Sequence, residues 1–251
     1  MKFLNKIWCR YFSVDVRSLA LFRFFIGIVA FFDIYRRYEM IDVFYSTKGI
    51  RIHSTTLTEY SSRYFSLLDS FPQSIEAHVF FVIAMFSSLC LMVGYKTKFF
   101  QVLTTIGVIS IHNHLIILEN AGDIFFNAIL VWTLFLPLGR VWSFDSLRNS
   151  LKHTKEMNSD DLNGFTYSNK SQRVYHLAYF AILLQFSAIY FFNFINKTGS
   201  MWKDGTAVYY LYQLETFLTP FGHIIQPLMI GGVISVLTYM TIAIEFSAPF
   251  L

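Results

Sequence analysis

The sequence predicts an all-α fold: a polytopic helical membrane protein whose single transmembrane domain covers residues 1–251. Two observations support this class. Hydrophobic residues make up 55% of the chain and charged residues only 14%, whereas soluble domains carry about 25% charged residues. The apolar residues also form long stretches that end at charges or turn-forming residues, as helices that cross a hydrocarbon layer do.

Six of these stretches approach the roughly 20 residues that a helix needs to cross a bilayer core about 30 Å thick. They are 18–35, 77–95, 99–118, 123–138, 175–195 and 226–251. Pro137 lies near the end of the short fourth stretch, so we expect a tilted or kinked helix there. Glu215, Pro220 and Gly222 interrupt a further apolar run at 209–225, which predicts an interfacial or re-entrant element.

The distribution of lysine and arginine predicts the orientation. With six alternating crossings, most of these residues fall on the side that holds the N-terminus, and such residues are retained in the cytoplasm. We therefore expect a cytoplasmic N-terminus. The segment 140–174 is then a polar cytoplasmic loop, and 38–76 is an outer loop with short amphipathic helices on the membrane surface.

Two charged residues lie inside the predicted spans, where an unpaired charge is costly. Arg23 belongs to the first stretch and Glu245 to the last, and both are predicted to lie towards the cytoplasmic side. One interpretation is an ion pair between them that locks the helices together, and the other is a charge that belongs to a functional site.

Polar residues are densest at the predicted outer ends of the third and fourth stretches, where His112, His114, Asn120 and Asp123 occur. Histidines two positions apart project from different faces of a helix, so their spacing does not suit a metal pair, and we expect no metal. They are either packing residues or groups that contact substrate or transfer a proton. Asp123 is either a cap of the fourth helix or a site residue.

Lys197 follows the fifth stretch directly. Asn193 and Asn196 precede it, and Trp202 and Gly205 follow it. A lysine at the edge of the hydrocarbon layer commonly extends its ammonium group towards water. Desolvation can instead lower the pKa of such a lysine until it works as a base. Lys197 is therefore either a residue that closes a transmembrane helix or a catalytic base with the flanking residues lining a substrate pocket.

Common catalytic motifs do not occur in the sequence. It has no phosphate-binding loop, dinucleotide-binding glycine motif, serine-hydrolase elbow, HExxH or CxxC. It also has no basic stripe with interleaved aromatic residues, so we expect the lipid bilayer as a partner and no nucleic acid. Any catalysis must then use single groups that converge from several helices.

Three segments in colinear order carry a resemblance to a known family. They are 14–27 with Asp33 and 44–50; 119–123 continuing to 137–145; and the aromatic run that ends in Lys197, Trp202 and Gly205. Together they resemble the HTTM (horizontally transferred transmembrane) family, bacterial membrane proteins related to the vitamin K-dependent gamma-glutamyl carboxylase. The similarity is greatest to bacterial members of unassigned function.

The resemblance implies a bacterial cytoplasmic membrane protein of lyase type. Lys197 matches the carboxylase lysine that acts as a base on reduced vitamin K at the lumenal side. A reduced quinone is thus the implied cofactor, and a peptide or protein the implied substrate. Where the carboxylase has a functional histidine, this chain has Ala121, Gly122 and Asp123, so that role would fall to Asp123, His112 or His114. Family members continue past the segment matching 248–251, so we expect a truncated chain.

Two functions follow from these observations, and the sequence leaves open whether the protein is an enzyme. The first is a lysine-dependent enzyme of carboxylase or epoxidase type that acts on a quinone-like lipid at the outer face, with Lys197 as the base. The alternative is a non-catalytic membrane protein for the maturation or export of a peptide or toxin.

Overall fold

The computed structural model describes residues 11–46, 64–71, 73–156, 173–214 and 218–250. Within these residues the chain is predominantly helical, as predicted. The elements are β1 (Ser13–Asp15), α1 (Val16–Tyr38), α2 (Ser74–Val93), α3 (Thr97–His114), α4 (Ala121–Thr133), α5 (Phe144–Glu156), β2 (Arg173–Tyr175), α6 (Leu177–Asn196), α7 (Ser200–Lys203), α8 (Ala207–Tyr212), α9 (Pro220–Ile225) and α10 (Gly231–Ser247). The chain divides into two compact units, Met1–Phe180 and Ala181–Leu251.

Four helices in the described part of the chain are long and apolar enough to cross a membrane. They are α1, α2, α6 and Gly231–Phe250, which joins α10 to a final 3₁₀ turn. Six were predicted. The third stretch forms α3, but its buried face is rich in polar side chains such as Gln101 and Thr104. The fourth forms α4, whose 13 residues extend only about 20 Å.

Helices α1 to α4 of the first unit alternate in direction. The end of α2 lies beside Arg23 near the start of α1, whereas His112 at the end of α3 contacts Asp33 near the end of α1. α4 begins at that same end, because Asp123 pairs with Arg37. The core between these helices is apolar and includes Ile26, Ala30, Ile34, Phe81, Ala84, Val108, Ile111 and Leu130.

A short antiparallel sheet, which the sequence did not predict, closes the opposite end of the first unit. β1 pairs with β2 in the register Ser13 to Tyr175, Val14 to Val174 and Asp15 to Arg173. The amide of His176 also donates to the carbonyl of Phe12 at 2.9 Å. The start of α6 is thereby held next to the start of α1.

The two predicted loops are partly described. Of the outer loop 38–76, the structure shows a π-helical turn at Ile41–Tyr45 and a 3₁₀ turn at Leu67–Ser70, while 47–63 and Pro72 lie outside the described residues. Of the cytoplasmic loop 140–174, residues 144–156 form α5, and 157–172 lie outside the described residues. The polar loop predicted at 140–174 therefore contains a helix, which the sequence did not predict.

Asp145 connects α5 to the turn between α2 and α3. Its carboxylate accepts hydrogen bonds from the amides of Lys96 and Thr97 at 2.8 and 2.7 Å and from the Thr97 hydroxyl at 2.8 Å. Burial alone would raise the pKa of Asp145, but these hydrogen bonds hold it below its ordinary value. Asp145 thus caps α3 from a distant part of the sequence.

In the second unit, the segment after α6 runs back along α10. The hydroxyl of Tyr239 donates to the carbonyl of Lys203 at 2.8 Å, and the side chain of Gln226 donates to the carbonyl of Tyr212 at 3.3 Å. Residues 203–212 therefore lie antiparallel to α10. The stretch predicted to be interfacial or re-entrant contains the short helices α8 and α9.

The C-terminal ends of α6 and α10 lie together, because Lys197 forms an ion pair with Glu245. Six alternating crossings would place these two ends on opposite membrane faces. The prediction that Lys197 lies on the outer side and Glu245 towards the cytoplasmic side is therefore wrong for this pair. Residues 203–212 return beside α10. A count of apolar stretches does not reveal such a return.

Gly94 provides a test of the packing at the α2–α3 turn. We expect Gly94→Ala to lower the free energy of unfolding by at least about 2 kcal/mol. Gly94 has a φ of +78°, and a Cβ there would lie 1.4 Å from Nη1 of Arg23. The measurement is thermal unfolding in detergent, followed by circular dichroism.

Gly232→Ala is the matched control, because a Cβ at Gly232 would meet nothing within 4 Å. Its effect should stay within about 1 kcal/mol, the usual difference between glycine and alanine in a helix. Equal effects of the two substitutions would contradict the packing described for Gly94.

Candidate functional site

A cluster of ionic side chains lies where α1, α3 and α4 meet. We call Asp33, Arg36, Arg37, His112, Glu119 and Asp123 the charged cluster. Asp33, Arg36 and Arg37 occupy positions i, i+3 and i+4 of α1, so they share one helix face. This spacing is the signal in the sequence that could have revealed the three residues as members of one site.

Arg37 bridges the two aspartates. Its Nη2 lies 2.9 Å from Oδ2 of Asp123, and its Nε lies 3.4 Å from Oδ1 of Asp33. Arg36 contacts the same two carboxylates at 2.7 and 3.3 Å. The side chain of Arg37 is only 9% exposed, whereas that of Arg36 is 59% exposed. Arg37 is therefore the cation that compensates the buried carboxylates.

His112 lies between acceptors on both sides of its ring, and its side chain is fully buried. Nε2 is 2.7 Å from Oδ2 of Asp33, and Nδ1 is 2.8 Å from the side-chain oxygen of Asn127. Nδ1 also lies 3.8 Å from Oε1 of Glu119. The ring of His112 therefore lies between the carboxyl groups of Asp33 and Glu119.

Asp123 and Asn120 form a capping box at the start of α4. The side-chain oxygen of Asn120 accepts from the amides of Gly122 and Asp123, and Oδ2 of Asp123 accepts from the amide of Asn120 at 3.1 Å. Asp123 therefore takes part in capping and pairs with Arg37 as well. Asn120, predicted to line a substrate pocket, is the N-cap residue of α4.

Glu119 is the unusual member of the charged cluster. Its side chain is 6% exposed, and Oε1 has no hydrogen-bond partner within the part of the chain that the structure describes. Burial raises the pKa of Glu119. The burial of Glu119 depends on the packing of α3 against α4, so the sequence did not predict it as a site residue.

The charged cluster includes three groups that could hold a metal ion. One ligand atom from each of Asp33, His112 and Asp123 lies within 4.8 Å of the others. However, hydrogen bonds already occupy these atoms: both guanidinium groups contact the carboxylates, and His112 contacts Asp33. A divalent cation would have to displace them, so the arrangement is that of an ion-pair network.

His114 has a different environment from His112, as the spacing of the two histidines predicted. Its Nδ1 lies 2.7 Å from Oδ1 of Asp69, and its ring stacks on Tyr45 with centroids 5.6 Å apart. The hydroxyl of Tyr45 accepts from Arg37 at 3.5 Å, and burial raises the pKa of Tyr45. His114 therefore borders the charged cluster through Tyr45.

Lys197 and Glu245 form a second ionic site in the second unit. The two side chains are 14% and 13% exposed. Nζ of Lys197 also lies 4.7 Å from the ring centroid of Trp202, a cation–π distance. The rings of Phe194 and Phe246 pack beside the pair with centroids 5.1 Å apart. Lys197 thus meets an anion and an aromatic face in largely apolar surroundings.

The partner of Glu245 is therefore Lys197, and the predicted ion pair between Arg23 and Glu245 is wrong. Arg23 is buried and donates from Nη2 to the carbonyl of Trp142 at 2.6 Å. Arg23 and Glu245 each contact a residue that is distant in sequence. The pattern of apolar stretches therefore could not predict either contact.

The remaining predicted pocket residues have different roles. Gly205 has a φ of +69°, and a Cβ there would lie 3.1 Å from the ring of Tyr239, so it allows the turn after α7 to lie against α10. The side chains of Asn193 and Asn196 are exposed, and within the described residues no hydrogen bond joins either to Lys197. The predicted catalytic residues are divided between the two units.

No family model, no curated protein and no solved structure matches this chain. The resemblance to the HTTM family therefore stays a prediction from the sequence.

Substitution of the two arginines tests the charged cluster. We expect Arg37→Gln to lower the free energy of unfolding by about 3–5 kcal/mol, because it leaves buried carboxylates without their main cation. Arg36→Gln is the matched control, and it should cost no more than about 1 kcal/mol because Arg36 is largely exposed. Chemical unfolding in mixed micelles measures both. Similar losses in the two variants would refute the assigned difference.

The pH dependence of stability tests the burial of Glu119. A raised pKa in the folded state means that the folded protein binds a proton that the unfolded chain has released. The stabilising effect of that proton is complete below the ordinary pKa of 4.5, and it is lost as the pH rises through the raised value. We expect Glu119→Gln to remove this loss of stability above pH 4.5.

Thermal unfolding as a function of pH provides this measurement, with Glu39→Gln as the control. Glu39 is exposed at the end of α1, so its substitution should leave the slope unchanged. Parallel curves for wild type and Glu119→Gln would show that Glu119 has no such role.

Proposed function

We propose that this chain is an integral membrane enzyme of carboxylase or epoxidase type, in which Lys197 and Glu245 transfer a proton to and from a quinone-like lipid. The observation that carries the proposal is the pairing of these two side chains, nearly buried at the ends of two apolar helices and beside Trp202.

The pair has a property that neither residue has alone. An ammonium beside a carboxylate and an amine beside a carboxylic acid are both neutral overall, so a proton can move between them without adding net charge to apolar surroundings. The second form contains a free amine, which is the form of lysine that accepts a proton. Glu245 thus supplies the partner that a lysine base needs.

The surroundings of Lys197 suit a planar, apolar ligand. Trp202, Phe194 and Phe246 provide aromatic surfaces close to the pair, and aromatic rings bind other flat rings through offset or edge contacts. These residues would hold a reduced quinone. When bound, a reduced quinone supplies an acidic ring hydroxyl group. In the form that pairs a free amine with a carboxylic acid, Lys197 would accept the proton from that hydroxyl, and the resulting ammonium would pair with the anion left on the quinone ring while Glu245 stays protonated.

The location and the substrate belong to the same proposal. The four long apolar helices support a membrane location, and the resemblance to the carboxylase, whose lysine acts at the lumenal side, supports an outer-face position for Lys197 in a bacterial cytoplasmic membrane. The resemblance to the HTTM family supports a peptide or protein as the final substrate. Membership of that family is itself part of the proposal.

Substitution of Lys197 tests the proposed chemistry. We expect Lys197→Arg to keep the ion pair and the thermal stability but to lower quinol-dependent turnover by about 100-fold or more, because an arginine stays protonated. Glu245→Gln should lower turnover as well. Lys203→Arg is the control, since Lys203 contacts Tyr239 only through its backbone carbonyl. The purified protein should also retain a quinone detectable by native mass spectrometry.

Two results would contradict the proposal. Full turnover in Lys197→Arg would exclude Lys197 as the base. A wild-type protein that retains no quinone but co-purifies with a peptide would replace the enzyme with a non-catalytic role in peptide or toxin maturation or export.

A further inference from the structure

A cavity of about 810 Å³ opens in the first unit at the end where β1 and β2 pair. Its wall includes the start of α3, the turn 135–140 after α4, one side of α5 and residues 174–176. Its volume is within the range of small-molecule sites. The charged cluster lies at the opposite ends of α1 and α3, so this cavity is a separate feature.

The cavity carries excess positive charge. Two cations, Lys98 and Arg140, line it, and Asp145 is the one acidic residue among the lining residues. The Asp145 carboxylate is already bound by the amides of Lys96 and Thr97, so the N-terminal end of α3 compensates its charge. The cations of the wall are therefore available for an anion.

These cations have unused donors. The ammonium of Lys98 donates to the carbonyl of Leu134, which uses one of its three donors. Arg140 is exposed and makes no hydrogen bond or ion pair within the described ranges. A guanidinium group binds a phosphate through two parallel hydrogen bonds, so Arg140 is suited to a phosphate group at this position.

Gln101 adds a buried acceptor to the same wall. Its side chain is 1% exposed, and its Nε2 donates to the carbonyl of Thr133, which fixes the amide. Oε1 has no hydrogen-bond partner among the residues that the structure describes. A buried acceptor without a partner is costly, and a hydroxyl or amine donor of a ligand would satisfy it.

α5 indicates that this end of the protein lies at a lipid headgroup layer. Phe144, Leu147 and Leu151 are exposed along one face of α5. Two cations adjoin this face: Arg148 follows Leu147, and Lys152 follows Leu151. An exposed apolar stripe with adjacent cations is typical of a helix lying on an anionic membrane surface. A ligand of the cavity would therefore be within reach of the headgroups.

We propose that this cavity binds the headgroup of an anionic phospholipid, with the phosphate on Arg140 and Lys98 and a headgroup hydroxyl on Oε1 of Gln101. The exposed ring of Phe135 at the rim of the cavity is positioned for contact with an acyl chain. The ligand class is thus a phosphate diester with a hydroxyl donor, and phosphatidylglycerol has both groups.

Native mass spectrometry of the full chain in lipid nanodiscs tests this site. We expect retention of one dioleoylphosphatidylglycerol per chain, and weaker binding of dioleoylphosphatidylcholine, whose headgroup is neutral and lacks a hydroxyl. Arg140→Gln should weaken phosphatidylglycerol binding by about tenfold, the usual effect of losing a charged hydrogen bond. Lys98→Gln should act in the same direction.

Arg148→Gln is the matched control, because it removes the same charge from the same end of the protein but outside the cavity. It should leave retention of the lipid within about twofold, as expected for an exposed charge. Equal weakening by Arg140→Gln and Arg148→Gln would overturn the site in favour of general attraction to an anionic surface.

Soluble glycerol 3-phosphate distinguishes a lipid headgroup from a free phosphate ester. We expect it to compete poorly, because it lacks acyl chains. Binding of glycerol 3-phosphate as tight as that of phosphatidylglycerol would overturn the lipid assignment, as would equal binding of phosphatidylcholine. Neither result depends on Lys197 or on the proposed enzymatic function.

Discussion

The bridge from Arg37 to Asp33 and Asp123 is the interaction on which the first unit depends. Lipid tails are as apolar as leucine, so burial of apolar surface gives little drive for helices to associate within a membrane. Arg37 connects α1 to α4, and Asp33 connects α1 to α3 through His112. The guanidinium group of Arg37 thereby fixes how α1, α3 and α4 are rotated relative to one another. Apolar contacts alone would leave this rotation less defined.

The opposite end of the same helices is held by different interactions. There Arg23 has one carbonyl partner, and its Nε and Nη1 have no hydrogen-bond partner among the described residues. Asp145 binds backbone amides rather than a cation. Charges at the charged cluster nearly cancel, whereas cations exceed available anions around the cavity. This difference explains why one end is a closed network and the other can accept an anionic ligand.

The sequence predicted the helices well because long apolar runs depend on local composition. It also predicted a dense group of polar residues at the end of the third stretch and the start of the fourth, where His112 and Asp123 occur. It did not predict their partners Asp33 and Arg37, because the pairing depends on helix rotation. The return of 203–212 along α10 was missed for a related reason: it depends on contacts such as that of Tyr239 with Lys203, which no local pattern records.

The two ionic sites differ in the kind of cation that faces the carboxylates. Asp33 and Asp123 face guanidinium groups, which do not release protons, and these ion pairs serve to join helices. Lys197 and Glu245 face each other, and both can gain or lose a proton. Glu119 faces His112, another group that can exchange one. The arginine bridges thus supply the rigid frame of the first unit, whereas the proton transfer proposed above concerns the pair of Lys197 and Glu245 in the second unit.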